Sequence, residues 1–212
     1  MVRLLDLGLE QLTTMVYKMG EVARKVVGIS IRGLMTGRDA SEDVRELSDI
    51  LVTMTVEIEE KAFELIAKFQ PVASDLRIIN SYMKIAYDFE RYGRYAWDIS
   101  YTFKRLGGLE ECAPPSELMD DLARLVSDMV NISVNSLRDN EATFAKNLAD
   151  IEKEVDTKFS EYMDQLAQEK MDTKCAMRNL LVARFLERIA DHTTYVGESI
   201  VYIVTGEKVI LR

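Results

Sequence analysis

Two pairs of acidic residues have the spacing that places both carboxylates of a pair on one face of a helix. Glu152 and Asp156 lie four residues apart in IEKEVDTKF, and Glu187 and Asp191 lie four apart in FLERIADH. Side chains at this spacing are neighbours about one turn apart. Two antiparallel helices that lie side by side would therefore bring all four carboxylates together. Such a group repels itself unless it is solvated, protonated or neutralised by a cation.

A bound metal ion is the chemistry that this arrangement would suit, because carboxylate oxygens are the ligands that hard cations prefer. The predicted metal ligands are Glu152, Asp156, Glu187 and Asp191. The identity of the ion stays open among iron, magnesium, manganese, calcium and zinc.

A solvated acidic face is the alternative hypothesis, because the same spacing recurs elsewhere in the chain. It occurs at Asp39/Asp43, Glu42/Glu46, Glu60/Glu64 and Glu117/Asp121. The segment around Glu187 favours a site, since it is apolar around most of its circumference and its polar residues form one narrow stripe. That stripe consists of Arg184, Glu187, Asp191, Thr194 and Glu198.

The only histidine of the chain, His192, gives little support for catalysis. It points about 100° away from the neighbouring Asp191 on a helix, so we expect a surface position or a satisfied polar role. A ferritin-like di-iron site needs Glu-x-x-His motifs on two helices, and one histidine cannot supply them. Because neither a catalytic triad nor a glycine-rich phosphate loop can be assembled, we predict that the protein is not an enzyme.

Composition and charge narrow the class of protein further. The net charge of −9 over 212 residues disfavours direct binding to nucleic acid or anionic lipid. Cys112 and Cys175 are isolated, with no CxxC motif, and we predict free, reduced thiols. The start of the chain lacks the apolar run of a signal peptide, and no stretch has the 18 apolar residues of a membrane span. We therefore expect a soluble, cytoplasmic protein without membrane insertion.

Apolar residues recur at helical spacing in six long segments separated by short breaks. The strongest break is GGLEECAPPS, residues 107–116, with two glycines and two prolines. Glu90 and Glu187 are 97 residues apart, and the same offset (187 − 90) relates several other residues. These are Asp75 and Asp172, Ala86 and Ala183, and Arg91 and Arg188. We predict an all-α fold of two tandem pseudo-repeated three-helix bundles, residues 1–108 and 109–212, built from six long antiparallel helices.

Two stretches of the chain resemble the PhoU family of phosphate-uptake regulators. They are QPVASDLRIINSYMKIAYDFERYGR, residues 70–94, and VARFLERIADHTTYVGESIVYIVTGE, residues 182–207. The resemblance implies a duplicated three-helix bundle and a cytoplasmic accessory protein of a phosphate ABC transporter and its sensor kinase, acting in negative regulation. It also implies metal binding through E/DxxxD motifs in some members. Whether the chain forms a homodimer stays open.

The two repeats differ at the positions where such a motif would lie. The second repeat keeps Glu152, Asp156, Glu187 and Asp191, whereas the first has Ser48, Val52, Glu90 and Arg94. We therefore predict a cation site in the second repeat alone. In the first, Arg94 would supply the positive charge from the protein, with aromatic rings nearby on which its guanidinium can stack. An ordinary i, i+4 pair of Glu90 with Arg94 is the alternative.

The leading functional hypothesis is a non-enzymatic regulator of phosphate uptake that acts by binding partner proteins. One alternative is a PhoU-like adaptor of another transporter or regulatory system. A second alternative, of a different class, is a helical-bundle protein that stores or depends on metal.

Overall fold

A computed structural model describes residues 3–112 and 115–211, without the side chains of residues 144–146. Within these ranges the chain is helical and contains no strand. The helices are α1 (Leu4–Thr36), α2 (Ser41–Phe69), α3 (Ala73–Arg105), α4 (Gly108–Glu111), α5 (Glu117–Asp139), α6 (Ala142–Gln168) and α7 (Thr173–Thr205). The prediction of an all-α fold with six long helices is confirmed. The one-turn helix α4 lies inside the predicted break at 107–116, of which residues 113 and 114 are outside the described ranges.

Local sequence signals end and begin the helices at these places. Gly37 and Gly206 follow α1 and α7 with φ values of 74° and 78°, the left-handed conformation that glycine adopts most readily at a helix C-terminus. The Ser116 hydroxyl accepts a hydrogen bond from the Met119 N–H at the start of α5. The Asp172 carboxylate caps α7 in the same way.

The helices form two three-helix bundles, α1–α3 and α5–α7, which share one continuous apolar core. The two bundles meet chiefly where α3 lies along α7. The division of the chain at residue 108 stays a prediction, because a shared core does not fix where one unit ends. Among the described helices, none combines the length and the apolar character needed to cross a membrane.

The contact between α3 and α7 has an approximate two-fold symmetry. On one side His192 Nδ1 lies 2.8 Å from Asp88 Oδ1, and on the other the rings of Tyr95 and Phe185 stack with centroids 6.2 Å apart. The 97-residue offset carries Asp88 onto Phe185 and Tyr95 onto His192. The two contacts are therefore equivalent positions of an antiparallel helix pair, one polar and one aromatic. His192 has the satisfied polar role expected of it.

Cys112 and Cys175 form a disulfide that joins the link between the bundles to the first turn of α7, so the prediction of free, reduced thiols is wrong. The two residues are 63 positions apart, and such a separation carries no information about distance in space. They meet because α5 and α6 run antiparallel and return the chain to its starting end. An ion pair between Lys174 and Glu111 reinforces the same junction.

Replacing both cysteines, Cys112→Ser with Cys175→Ser, is expected to lower the free energy of unfolding by about 4 kcal/mol, the loop-closure value for a 63-residue loop. Urea denaturation without reductant measures this loss. Wild-type protein in reductant should lose the same amount, whereas the double variant should not respond to reductant. A wild type that is indifferent to reductant would show that the thiols are free.

The approximate symmetry makes a second prediction about stability. His192→Tyr leaves the buried Asp88 carboxylate without its partner, and we expect a loss of about 1–3 kcal/mol in the free energy of unfolding. Adding Asp88→Phe recreates the aromatic pair found on the other side of the seam, and should recover most of the loss because apolar groups often replace a buried polar pair without cost. Urea denaturation of the wild type, the His192→Tyr variant and the double variant measures these changes in the free energy of unfolding. A double variant no more stable than His192→Tyr would contradict the equivalence.

Candidate metal centre and its counterpart in the first repeat

The four predicted metal ligands of the second repeat lie together between α6 and α7. Across the antiparallel pair, the charge of Asp191 acts on Glu152 and the charge of Glu187 acts on Asp156. Glu152 and Glu187 are only 6% and 5% exposed, whereas Asp156 is open to solvent. The sequence prediction that the two i, i+4 pairs meet is therefore correct in placement. The binding of a metal is a separate matter.

Burial and repulsion from neighbouring carboxylates make ionisation of Glu152, Asp156 and Asp191 unfavourable. Burial raises the pKa of the Glu152 carboxyl, and the negative charges of Asp156, Asp191 and Glu187 raise it further. The pKa of Asp191 is raised by burial and by Glu187, against the opposing charge of Arg188. The cluster thus lacks positive charge, which is the electrostatic condition that a cation would relieve.

Two arginines of α7 supply part of the missing positive charge. Arg184 Nη1 donates to Glu187 Oε1 at 2.8 Å, and Arg188 donates to both Glu187 oxygens at 2.7 Å. Arg188 Nη2 also lies 2.7 Å from Asp191 Oδ2. Sequence reasoning placed Arg184 on the polar stripe but did not assign either arginine a role. The sequence spacing could have predicted these ion pairs, because Arg184 and Glu187 are three residues apart on one helix face, as are Arg188 and Asp191.

These arginines decide how well the cluster suits a metal ion. The donor set, four carboxylates, matches a hard cation. In the described ranges, however, no three side chains of the ligand types converge so as to hold an ion, and both oxygens of Glu187 are engaged by guanidinium groups. The Arg188 side chain is 34% exposed, so it has room to turn toward solvent. The residues present fit a metal once Arg188 withdraws.

The corresponding place in the first repeat is a cavity of about 380 Å³ between α2 and α3. The predicted counterpart positions all line it, together with four further residues. The lining consists of Arg45, Ser48, Asp49, Val52, Glu90, Arg91, Arg94 and Trp97. Close approach of the helices depends on Gly93, since a Cβ there would come within 2.5 Å of Leu51 Cδ1.

Among the described residues, Arg94 makes neither of the contacts considered for it from the sequence, which are stacking on an aromatic ring and an ion pair with Glu90. In the part of the chain that the structure describes, it forms no ion pair with Glu90, so the alternative i, i+4 pair is not made. The arginine that packs on an aromatic ring is Arg91, whose guanidinium carbon lies 4.6 Å from the centroid of the Tyr95 ring. Trp97 and Tyr101 stack on each other instead. Residue spacing identified the aromatic stripe but not which arginine it would hold.

Comparisons with known proteins agree with this architecture. The family model described as PhoU domain matches the chain twice, at residues 16–102 and 119–200. A relative from Clostridium acetobutylicum, named phosphate-specific transport system accessory protein PhoU homolog, is 31% identical over 99% of this chain and 98% of its own length. A relative of the same name from Pseudomonas aeruginosa is 28% identical, with 95% of this chain and 85% of that protein covered.

Two solved structures are similar along the whole chain. The crystal structure of PhoU from Pseudomonas aeruginosa matches with a TM-score of 0.89 and 27% identity, covering 95% of this chain and 99% of that one. The phosphate transport system regulatory protein PhoU from Streptococcus pneumoniae matches with a TM-score of 0.87 at 21% identity, covering 97% and 99%, which shows the shared fold alone. The twofold family match and the near-complete alignment mean that this chain belongs to the PhoU family.

Proposed function

We propose that this PhoU-family chain regulates phosphate uptake as a non-enzymatic accessory protein of a phosphate ABC transporter. The observation that carries the proposal is the alignment with the Clostridium acetobutylicum relative, which leaves almost none of either chain unmatched. The leading alternative, an adaptor of a different transporter, shares the fold and differs in the partner bound.

Partner binding is supported by apolar side chains on the outer surface of α2. Val52, Val56 and Phe63 are 47%, 50% and 60% exposed, and their spacing of four and seven residues places them on one face of the helix. Exposed apolar patches on folded proteins commonly mark contacts with other proteins. The proposed occupant of this face is the transporter, with the sensor kinase as a second partner of the same accessory role.

Deleting the gene is expected to change phosphate uptake and phosphate-responsive transcription, because a negative regulator would be lost. Restoring it with Phe63→Ser and Val56→Ser should leave the chain folded, since neither side chain is buried, but should weaken its co-purification with the phosphate transporter. A matched control is Ile210→Ser, which removes a side chain that is 79% exposed at the other end of the chain. Unchanged uptake and expression after deletion, in both scarce and abundant phosphate, would contradict the proposal.

The proposal includes a cytoplasmic location, where such a regulator would meet both partners. The accessory role named for the relatives supports this location. The Cys112–Cys175 disulfide weighs against it, because the cytosol keeps most protein thiols reduced.

The proposal also includes a hard cation bound by the acidic cluster of the second repeat. Support comes from the raised pKa values of Glu152, Asp156 and Asp191, to which neighbouring carboxylates contribute. It also comes from the partly exposed side chain of Arg188, whose withdrawal would open the oxygens of Glu187 and Asp191. The cation would then replace a positive charge that the protein now supplies itself. Metal binding and Arg188 are therefore expected to compete.

Metal content of protein purified without chelator tests this competition. We expect Asp156→Asn with Asp191→Asn to lose the metal, Arg188→Gln to bind it more tightly than the wild type, and Glu90→Gln in the first repeat to change nothing. The physical reason is that Arg188 occupies two of the four carboxylates until it is removed. Equal loss from Glu90→Gln would show that the cation site is not confined to the second repeat. No metal in the wild type under any loading condition would favour the solvated-face hypothesis instead.

A further inference from the structure

The cavity between α2 and α3 contains more positive than negative charge. Three guanidinium groups line it, from Arg45 on α2 and from Arg91 and Arg94 on α3, against the two carboxylates of Asp49 and Glu90. The chain as a whole carries a net charge of −9. A local excess of positive charge in a recess is thus opposite to the character of the molecule.

None of these three arginines is neutralised by the carboxylates that share the cavity. Across residues 3–112 and 115–211, no ion pair involves Arg45, Arg91 or Arg94. The Nε of Arg91 is buried and has no hydrogen-bond acceptor, although buried donors in folded proteins are almost always satisfied. Its Nη2 donates to the Tyr95 hydroxyl at 2.6 Å, and the guanidinium rests on the Tyr95 ring. Arg91 is thus held in place with a donor left over.

Comparison with the second repeat explains why Arg91 and Arg94 form no ion pair with the carboxylates of the cavity. Arg91 and Arg188 are equivalent under the 97-residue offset, and so are Arg94 and Asp191. Arg188 is bound by Glu187 and Asp191. In the first repeat Arg94 occupies the position equivalent to Asp191. This one difference replaces a carboxylate, which accepts hydrogen bonds, by a guanidinium group, which donates them. The same frame gathers carboxylates in one repeat and guanidinium groups in the other. Among the described residues these guanidinium groups form no ion pair, although the charge of Asp98 on α3 acts on Arg91 and Arg94.

We propose that this cavity, the first-repeat cavity, binds a phosphate-type oxyanion. Guanidinium groups present planar pairs of N–H donors that match phosphate oxygens. Arg45 and Arg94 are exposed and able to turn inward, whereas Arg91 is fixed, and the buried Ser48 hydroxyl is a further donor on the cavity wall. The volume of about 380 Å³ admits free inorganic phosphate and also the phosphoryl end of a small phosphorylated metabolite. The inference rests on these residues and not on the proposed role in phosphate transport.

Titration calorimetry of the full chain tests the proposal in a chloride buffer free of phosphate. The ligands are inorganic phosphate, a nucleoside monophosphate and sulfate, and the variants are Arg94→Gln, Arg45→Gln and Arg94→Lys. Each glutamine variant is expected to bind the phosphate ligand at least about tenfold more weakly, as for the loss of a charged hydrogen bond. Arg94→Lys should lie between, since it keeps the charge and loses the planar donor pair.

Arg105→Gln provides the matched control, because it removes one exposed arginine of the same helix about 16 Å away along the axis. It should bind as the wild type does. Circular dichroism should show all variants folded, since within the described ranges neither Arg45 nor Arg94 forms an ion pair. Asp156→Asn with Asp191→Asn should also leave phosphate binding unchanged, which separates this inference from the metal proposal.

Saturable binding of inorganic phosphate that depends on Arg94 would identify free phosphate as the ligand. Arg94-dependent binding of the nucleotide alone would identify an organic phosphate, which supports the same oxyanion chemistry. The proposal is overturned if neither inorganic phosphate nor the nucleoside monophosphate binds saturably, if Arg94→Gln binds as tightly as the wild type, or if Arg105→Gln loses as much affinity as Arg94→Gln. Unchanged phosphate uptake after gene deletion would contradict the proposed function but not the binding of an oxyanion in this cavity.

Discussion

The antiparallel packing of α3 against α7 is the contact on which the rest of the structure depends. Each of these helices also completes its own three-helix bundle, so the seam between them turns two small bundles into one molecule with a continuous core. The seam also sets where the candidate sites lie, because Arg91 and Arg188 occupy equivalent positions near its centre. Tyr95 accepts a hydrogen bond from Arg91, and its hydroxyl also acts on the pKa of Arg188. The two repeats are thus electrostatic neighbours.

Helical periodicity in the sequence predicts the architecture of the protein. The stripes of apolar residues predict which face of each long helix is buried, and the 97-residue offset predicts that the buried faces are arranged twice. That is enough to bring Glu152, Asp156, Glu187 and Asp191 together, and to bring Ser48, Val52, Glu90 and Arg94 together. Placement of whole side chains on a helix face follows from the rise and turn of the helix alone.

Two features lay beyond that kind of reasoning. The disulfide depends on the path of the chain between Cys112 and Cys175, and sequence separation does not encode that path. The partners of the arginines depend on rotamers, because a long side chain on a helix reaches several neighbours from one position. Arg188 thus binds Glu187 and Asp191, while Arg91, in the same frame, packs on Tyr95. The partner of each arginine therefore follows from the three-dimensional structure and not from its position in the repeat.

The two repeats show how one frame can serve opposite charges with few substitutions. A helix face fixes where a side chain begins, whereas the sign of its charge is free to vary. In the second repeat the carboxylates outnumber their arginine partners, so any cation that enters must displace a guanidinium group already in place. In the first repeat, among the described residues, the three guanidinium groups form no ion pair, so an anion would enter without breaking one. Occupancy of the first-repeat cavity is then limited by desolvation and by the nearby carboxylates of Asp49 and Glu90, while occupancy of the acidic cluster is limited by competition with Arg188.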